Sequence, residues 1–174
     1  MKYVTMVIMV AMMGVFCGGT PAAAEEPKIG LVDLARTFDS FQRTKDSEKV
    51  LEAEAAKKKE ERDKRIDEIK RLKGELELLN EKGKAEKQAV IDQKIQELQA
   101  FDRDVQDGLR RERDRAIQEI LKEIDGVIET FGRENGYTML LNDRALLYGK
   151  KEMDITDQII EILNKGYQAK EKKR

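Results

Sequence analysis

The sequence lacks most of the side chains that carry out catalysis or bind metals. Its 174 residues include no histidine, no tryptophan and a single cysteine. Histidine and cysteine are the commonest general bases and nucleophiles, so their scarcity argues against an enzyme. Ser40 and Ser47 stand in no glycine-rich nucleophile turn, and no phosphate-binding glycine loop occurs. Residues 102–108 have the wrong fifth residue for a calcium loop and lie within a helical stripe. We therefore expect no catalytic residue, no cofactor and no metal site.

Aromatic residues are also scarce, whereas charge is abundant. Aromatic residues make up 5% of the chain and charged residues 40%, compared with about 25% charged in typical globular domains. A single domain is the default at this length, and this composition predicts an elongated one with a small core. The hydrophobic 40% at helical spacing argues against disorder. The formal net charge of −1 gives no reason to expect nucleic acid as a partner.

Residues 1–24 have the pattern of a cleaved secretory signal. Lys2 precedes an uncharged, mostly apolar run over residues 4–16, and three alanines at 22–24 provide a small-residue cleavage site. The run is short for a membrane span. An uncleaved anchor and a lipoprotein linked through Cys17 remain alternatives, although bulky Phe16 disfavours the second. Cleavage leaves 33 basic and 35 acidic residues, a net charge of −2, and no thiol. An exported chain without disulfides must be stabilised by packing or oligomerisation.

The stretch from Thr44 to Glu134 dominates the chain. It has no proline, is rich in helix-forming residues, and repeats large apolar side chains at helical spacing. Asn80 to Lys84, with Gly83 inside, is the best turn sequence in it. The sequence therefore predicts two long antiparallel helices over residues 44–134 with a tip near residues 80–84. The apolar period near 3.6 residues indicates a nearly straight pair.

One section of the first arm helix carries few apolar side chains. Between Glu52 and Arg65 no apolar residue is larger than alanine. If the helices align about residue 82, Ala55 and Lys59 lie opposite Leu109 and Val105. The section is then either an ordinary solvated helix face or a thin seam at which the arm bends or splays.

The two ends of the chain supply the base of the arm. Residues 25–43 predict a strand at Lys28–Asp33 followed by a short helix at Leu34–Phe41, although the latter could instead be the start of the long helix. In residues 135–174, Asn135-Gly136 predicts the end of the return helix. The sequence then predicts two strands, at residues 137–141 and 145–148, that form a hairpin. The last helix is expected to be capped by Asp154 or Thr156 and to end near Gly166.

Three short strands and one helix bury little and leave apolar sheet edges exposed. Closing such sheets against copies of themselves would remove those edges. The predicted fold class is therefore α+β: a small β body, closed as an oligomeric β-barrel, with a long antiparallel helical-hairpin arm. The residues expected to build the oligomer body are Ile29, Leu31, Met139, Leu141, Leu146, Leu147 and Tyr148.

The order of these segments resembles the Skp/OmpH family of periplasmic chaperones. The resemblance rests on the signal segment, the Lys28–Asp33 strand, the charged hairpin, the strand sequences 136–143 and 145–148, and the start of the last helix at residues 154–156. It implies a periplasmic homotrimer with three projecting arms. It also implies a holdase that encloses unfolded outer-membrane proteins without ATP and prevents their aggregation.

One property departs from that family. Well-known members are strongly basic, whereas this chain has a net charge near zero. We therefore expect at most weak contact with acidic membrane surfaces or lipopolysaccharide, and assign no residue to either or to client binding. The alternative hypothesis is an exported coiled-coil structural or adaptor protein with one folded partner. The sparse 52–65 section favours the holdase, since a docking rod would have a denser seam.

Overall fold

A computed structural model describes residues 26–173, so the predicted signal segment lies outside the described residues. The chain forms four helices and two strands within that range. In chain order they are β1 (Ile29–Val32), α1 (Leu34–Ser40), α2 (Gln42–Leu76), α3 (Glu81–Glu134), β2 (Met139–Asn142) and α4 (Thr156–Glu171), with 3₁₀ turns at Asp143–Ala145 and Lys151–Met153.

Helices α2 and α3 form the antiparallel arm that the sequence predicts. Residues 77–80 join them, and the Asn80 side chain caps α3 by accepting the Gly83 backbone N–H at 2.9 Å. Gly83 therefore lies in the first turn of α3 and not in the connection, because Asn80 supplies the helix cap. Ion pairs between the helices, such as Arg62–Asp102 and Glu75–Lys87, are centred on residues 81–82. This register matches the alignment about residue 82.

The β body differs from the prediction. Within the described residues it contains one sheet of two parallel strands, with Ile29 opposite Met139 and Val32 opposite Asn142. The predicted strand at 145–148, and with it the antiparallel hairpin, is absent. The Asn142 side chain accepts the Arg144 N–H, and the Leu146 N–H donates to the Asp143 carbonyl at 3.0 Å. These bonds close a 3₁₀ turn that diverts the chain from the antiparallel path.

The parallel pairing follows from the arm. The chain leaves β1, runs out along α2, returns along α3 and enters β2 in the same direction, which is the helical crossover that parallel strands require. The Ile155 N–H then donates to the Leu31 carbonyl at 2.9 Å, so the segment before α4 lies beside β1. Position 136, where a glycine stop was predicted, has φ of +67°, and α3 ends at Glu134.

The main hydrophobic core lies at the base of the arm, where side chains of β1, α1, α3 and α4 pack around Phe41, the residue before α2. Phe41 is fully buried there, and its ring meets the Tyr167 ring edge-on at 5.9 Å. Tyr167 lies beyond Gly166, so this contact explains why α4 continues to Glu171 and does not end at the glycine. Helix α1 is separate from α2, since Phe41 between them is extended. The base core is built from Val32, Phe41, Ile120, Ile124, Ile155, Ile159 and Leu163.

A second, smaller core lies near the tip of the arm. It consists of Ile69, Leu72 and Ile91, with Leu76, Ile95 and Leu98 packed against it. No helix among residues 26–173 is both long and apolar enough to cross a membrane. The described chain is thus an arm held by one apolar cluster at each end.

Candidate functional site

The sheet presents an apolar face to the outside of the body. Residues two apart on a strand point to the same face, and the register places Ile29 and Leu31 beside Met139 and Leu141. The opposite face carries Val32 and Leu140, which belong to the base core. We call the four residues of the first set, together with Leu146, Leu147 and Tyr148, the outer face.

The outer face is largely uncovered in the single chain. Leu147 and Tyr148 are almost entirely exposed, at 108% and 83%, and half of the Met139 surface is exposed. Leu31 by contrast is buried, because the segment after Leu147 turns back over it and leaves no room for a Cβ on Gly149. Contiguous exposed apolar side chains of this kind usually mark an interaction surface.

A groove of about 250 Å³ crosses the outer face between Leu31 and the 146–151 segment. Asp143 also lines it, and the Asp143 Oδ1 atom is buried without a hydrogen-bond partner in the described part of the chain. A buried acceptor without a donor costs free energy. A donor from outside this chain would satisfy it.

The middle of the arm is thinly packed. On α2 no described residue between Thr44 and Ile69 is buried, and on α3 none between Ile91 and Ile120 is buried. A groove of about 230 Å³ runs along this section, with half-buried Phe101, Val105 and Leu109 on its α3 side. The α2 side offers no large apolar side chain, as the sequence predicted.

Charged side chains make contacts between the two helices in this section. Arg62 Nε lies 3.0 Å from Asp102 Oδ1, and the Arg65 guanidinium lies 4.3 Å from the centre of the Phe101 ring. Glu54 and Glu112 both line the groove, so it holds one carboxyl group from each helix. Exposed ion pairs contribute little stability, typically about 0–1 kcal/mol, so they do not replace a packed seam.

The base of the arm is fixed by a better-buried charge cluster. Arg43 at the start of α2 binds Glu123 at 2.6 Å and Glu119 at 3.0 Å, both on α3. Lys170 of α4 binds the other oxygen of Glu123 at 2.7 Å. Burial opposes ionisation of Glu123, but the bonds from Lys170 and Arg43 outweigh it and lower the pKa of this carboxyl. The cluster therefore joins α2, α3 and α4 where the arm leaves the body.

The features described above are an exposed apolar face, two grooves and a charge cluster. Among residues 26–173 no group of three or more His, Cys, Asp or Glu side chains is placed to hold a metal ion. Residues 28–163 match the family described as outer membrane protein (OmpH-like). The chain belongs to the OmpH-like family.

A solved OmpH-like structure shares the fold. It is a protein from Caulobacter crescentus described as a candidate outer membrane chaperone, and it superposes with a TM-score of 0.74 at 16% sequence identity. The superposition covers 80% of this chain and 85% of the other. No curated protein matches the sequence. At this identity the likeness concerns the fold, namely a long helical arm on a small α/β base.

The OmpH-like fold brings the sequence-predicted body residues together. Ile29, Leu31, Met139 and Leu141 share one sheet face, and Leu146 and Leu147 line the groove beside Leu31. They do so without the predicted hairpin, since residues 146–148 reach the groove as an irregular segment after the 3₁₀ turn. Their role in an oligomer stays a prediction.

Sequence reasoning missed the charged groups that act across the arm. Neither Glu54 opposite Glu112 nor Arg43 opposite Glu123 was singled out. Both pairs are centred on residue 83, one residue beyond the predicted centre at 82. At the predicted register Glu54 would face Arg110 and Arg43 would face Leu121, so the sequence did not reveal these pairs.

Proposed function

We propose that this OmpH-like chain is the subunit of an exported, ATP-independent holdase that binds unfolded outer-membrane proteins. The family membership supports a chaperone of this class, and the predicted signal segment supports the periplasm as its compartment. The proposed assembly is a homotrimer whose bodies join through their outer faces and whose arms enclose the client.

The uncovered outer face is the observation that carries the proposal. A soluble chain gains little by exposing Met139, Leu147 and Tyr148 together, whereas contact with copies of itself would remove this apolar surface from water. It would also bring a donor to Asp143. In a closed trimer the outer edges of the small sheets would meet, as in the predicted oligomeric barrel.

The arm supports the second half of the proposal. From Ile120 to Glu81, α3 extends roughly 60 Å beyond the base core at 1.5 Å per residue. Several such arms on one body would bound a cavity. Contacts from each arm would be individually weak, because the arm surface is mostly charged. Many weak contacts acting together hold a client at high effective concentration and still allow its release.

A light-scattering assay with a urea-denatured outer-membrane barrel protein tests this function. Dilution of the client into buffer should give aggregation alone, and a stoichiometric amount of the assembled protein should suppress it without ATP. Undiminished aggregation would refute the holdase. It would leave the adaptor alternative, for which capture of one folded partner and no effect on unfolded clients is expected.

A further inference from the structure

The arm contains two cores separated by a section that has no core. The tip cluster ends at Ile69 and Ile91, and the base core begins at Ile120. What holds the helices together between these points is therefore a set of exposed polar contacts. Such contacts respond to solution conditions, whereas apolar packing does so less.

The Glu54–Glu112 pair is the unusual member of this set. It places two acids on facing helices, where the other contacts join an acid to a base or a base to a ring. From α2 only Glu54 and Lys58 line the groove with charge, and Lys58 binds Glu61 at 3.2 Å. From α3 the charged groups are Asp104 and Glu112, with Arg115 close to Glu112.

Two carboxyl groups can form a hydrogen bond with each other only when one of them carries a proton. Hydrogen bonding to Glu54, charge repulsion from Glu54 and desolvation all raise the pKa of Glu112 above its ordinary 4.5, and Arg115 acts in the opposite direction. A group whose pKa is raised by the closed arrangement stabilises that arrangement at low pH and loses this effect as the pH rises through the raised value. Two charged carboxylates then repel each other across the seam.

We propose that Glu54 and Glu112 make the middle of the arm a pH-sensitive joint. When the pair shares one proton, a hydrogen bond between the two carboxyl groups closes the seam over Phe101, Val105 and Leu109. When both carboxylates are charged, the helices separate there, while the cores at either end keep them paired. The open joint exposes the apolar α3 side of the groove, and acid closes it.

Distance measurement by pulsed electron paramagnetic resonance tests the joint. Spin labels are attached at Ala56→Cys on α2 and Gln106→Cys on α3, two exposed neutral positions, in a Cys17→Ser background. Labelled chain is mixed with excess unlabelled chain, so that only distances within one arm contribute. The mean distance should increase by a few ångströms, and its distribution should widen, between about pH 5 and about pH 8.

Two substitutions separate the pair from a general effect of pH. Glu112→Gln keeps a hydrogen-bonding side chain but removes the charge, so the short distance should persist at every pH. Glu60→Gln, an exposed carboxylate of α2 outside the groove, should leave the pH response of the parent intact. Circular dichroism checks that each variant stays helical.

A parent distance that does not change with pH would overturn the proposal. So would an unchanged pH response in Glu112→Gln. No client takes part in this measurement, so its outcome is independent of the aggregation assay.

Discussion

At the scale of single residues, a few side chains determine how the arm is attached and how stiff it is. Most charges of the arm are exposed. Some form ion pairs within one helix, such as Lys58–Glu61 and Arg71–Glu75, and such pairs stabilise a helix by roughly 0.2–0.5 kcal/mol each. Glu123 differs, because its side chain is only 18% exposed and receives cations from two other helices. Removing it leaves Arg43 without its closest partner at the junction.

Glu123→Gln should therefore lower the free energy of unfolding by about 1.5–3 kcal/mol, the usual contribution of a hydrogen bond to a charged group. The pKa of Glu123 is lowered in the folded state, so its contribution is present above the ordinary value near 4.5 and is lost as the pH falls through the lowered value. Thermal unfolding followed by circular dichroism at several pH values measures both effects.

Glu129→Gln is the matched control, since Glu129 is largely exposed and forms only a 3.8 Å pair with Arg133 in its own helix. It should change stability by less than about 0.5 kcal/mol. Equal effects of the two substitutions would contradict the role of the junction cluster.

Two glycines give opposite predictions on substitution by alanine. A Cβ at Gly108 in the middle of α3 meets nothing within 4 Å, whereas at Gly30 it would lie 2.7 Å from Leu140 and 2.8 Å from Tyr137. Gly108→Ala should stabilise the chain by about 0.5–1 kcal/mol through helix propensity. Gly30→Ala should destabilise it, because the added methyl group would collide with the side chains of Leu140 and Tyr137. Thermal melts of both variants measure this, and stabilisation by Gly30→Ala would contradict the described packing.

At the scale of elements, the sequence predicted the helices well and the strands only in part. Helical periodicity persists over tens of residues in α2 and α3, and no proline interrupts it. The capping signals at Asn80 and at Gly136 are local chemistry and lie where the helices begin and end. These features depend on near neighbours in the sequence.

The strands depend on distant neighbours, and there the prediction failed. The sequence Ala145–Tyr148 is as apolar as that of a typical strand. The hydrogen bond from the Leu146 N–H to the Asp143 carbonyl, however, turns the chain before this segment can pair with β2. The end of α4 also depends on a distant contact, since Tyr167 reaches Phe41 across the base. The junction between Arg43 and Glu123, 80 residues apart, could be found only after the register of the arm was known.

The separation of the two cores predicts independent behaviour of the arm tip. Ile91 is fully buried in the tip cluster, so Ile91→Ala should cost about 2–5 kcal/mol locally. Because no fully buried residue connects this cluster to the base, the loss should appear as faster amide hydrogen exchange near residues 66–98, with the base core unchanged.

Val90→Ala is the control for this prediction, since Val90 is 44% exposed beside Ile91. It should leave exchange nearly unchanged. Faster exchange throughout the base core in Ile91→Ala would show that the arm and body unfold as one unit.

At the scale of the whole molecule, the described chain has an apolar surface without a partner and an arm without enough core to be a rigid rod. Both features suit a subunit of an assembly better than a finished monomer. The base core and the charge cluster around Glu123 hold the arm to the body, whereas most of the outer face is exposed.

Substitution on the outer face should break the assembly without unfolding the subunit. Leu147 is 108% exposed, so Leu147→Asp should leave the monomer folded while placing a charge in the subunit interface. Light scattering coupled to size exclusion should show a smaller mass, and circular dichroism should be unchanged. Leu141→Asp should act in the same direction, with some loss of stability because Leu141 is half-buried.

Leu78→Asp is the matched control, because Leu78 is 87% exposed but lies at the arm tip. Its assembly should be that of the parent. An intact oligomer in both outer-face variants would remove the outer face from the subunit interface.

The central claim is that several copies join at their bodies and hold a client between their arms. Native mass spectrometry of the purified protein, alone and after addition of a denatured outer-membrane barrel protein, tests it most directly. We predict the mass of a trimer in the first case and of a trimer with one bound client in the second. A folded monomer at micromolar concentration that binds no client would contradict the account.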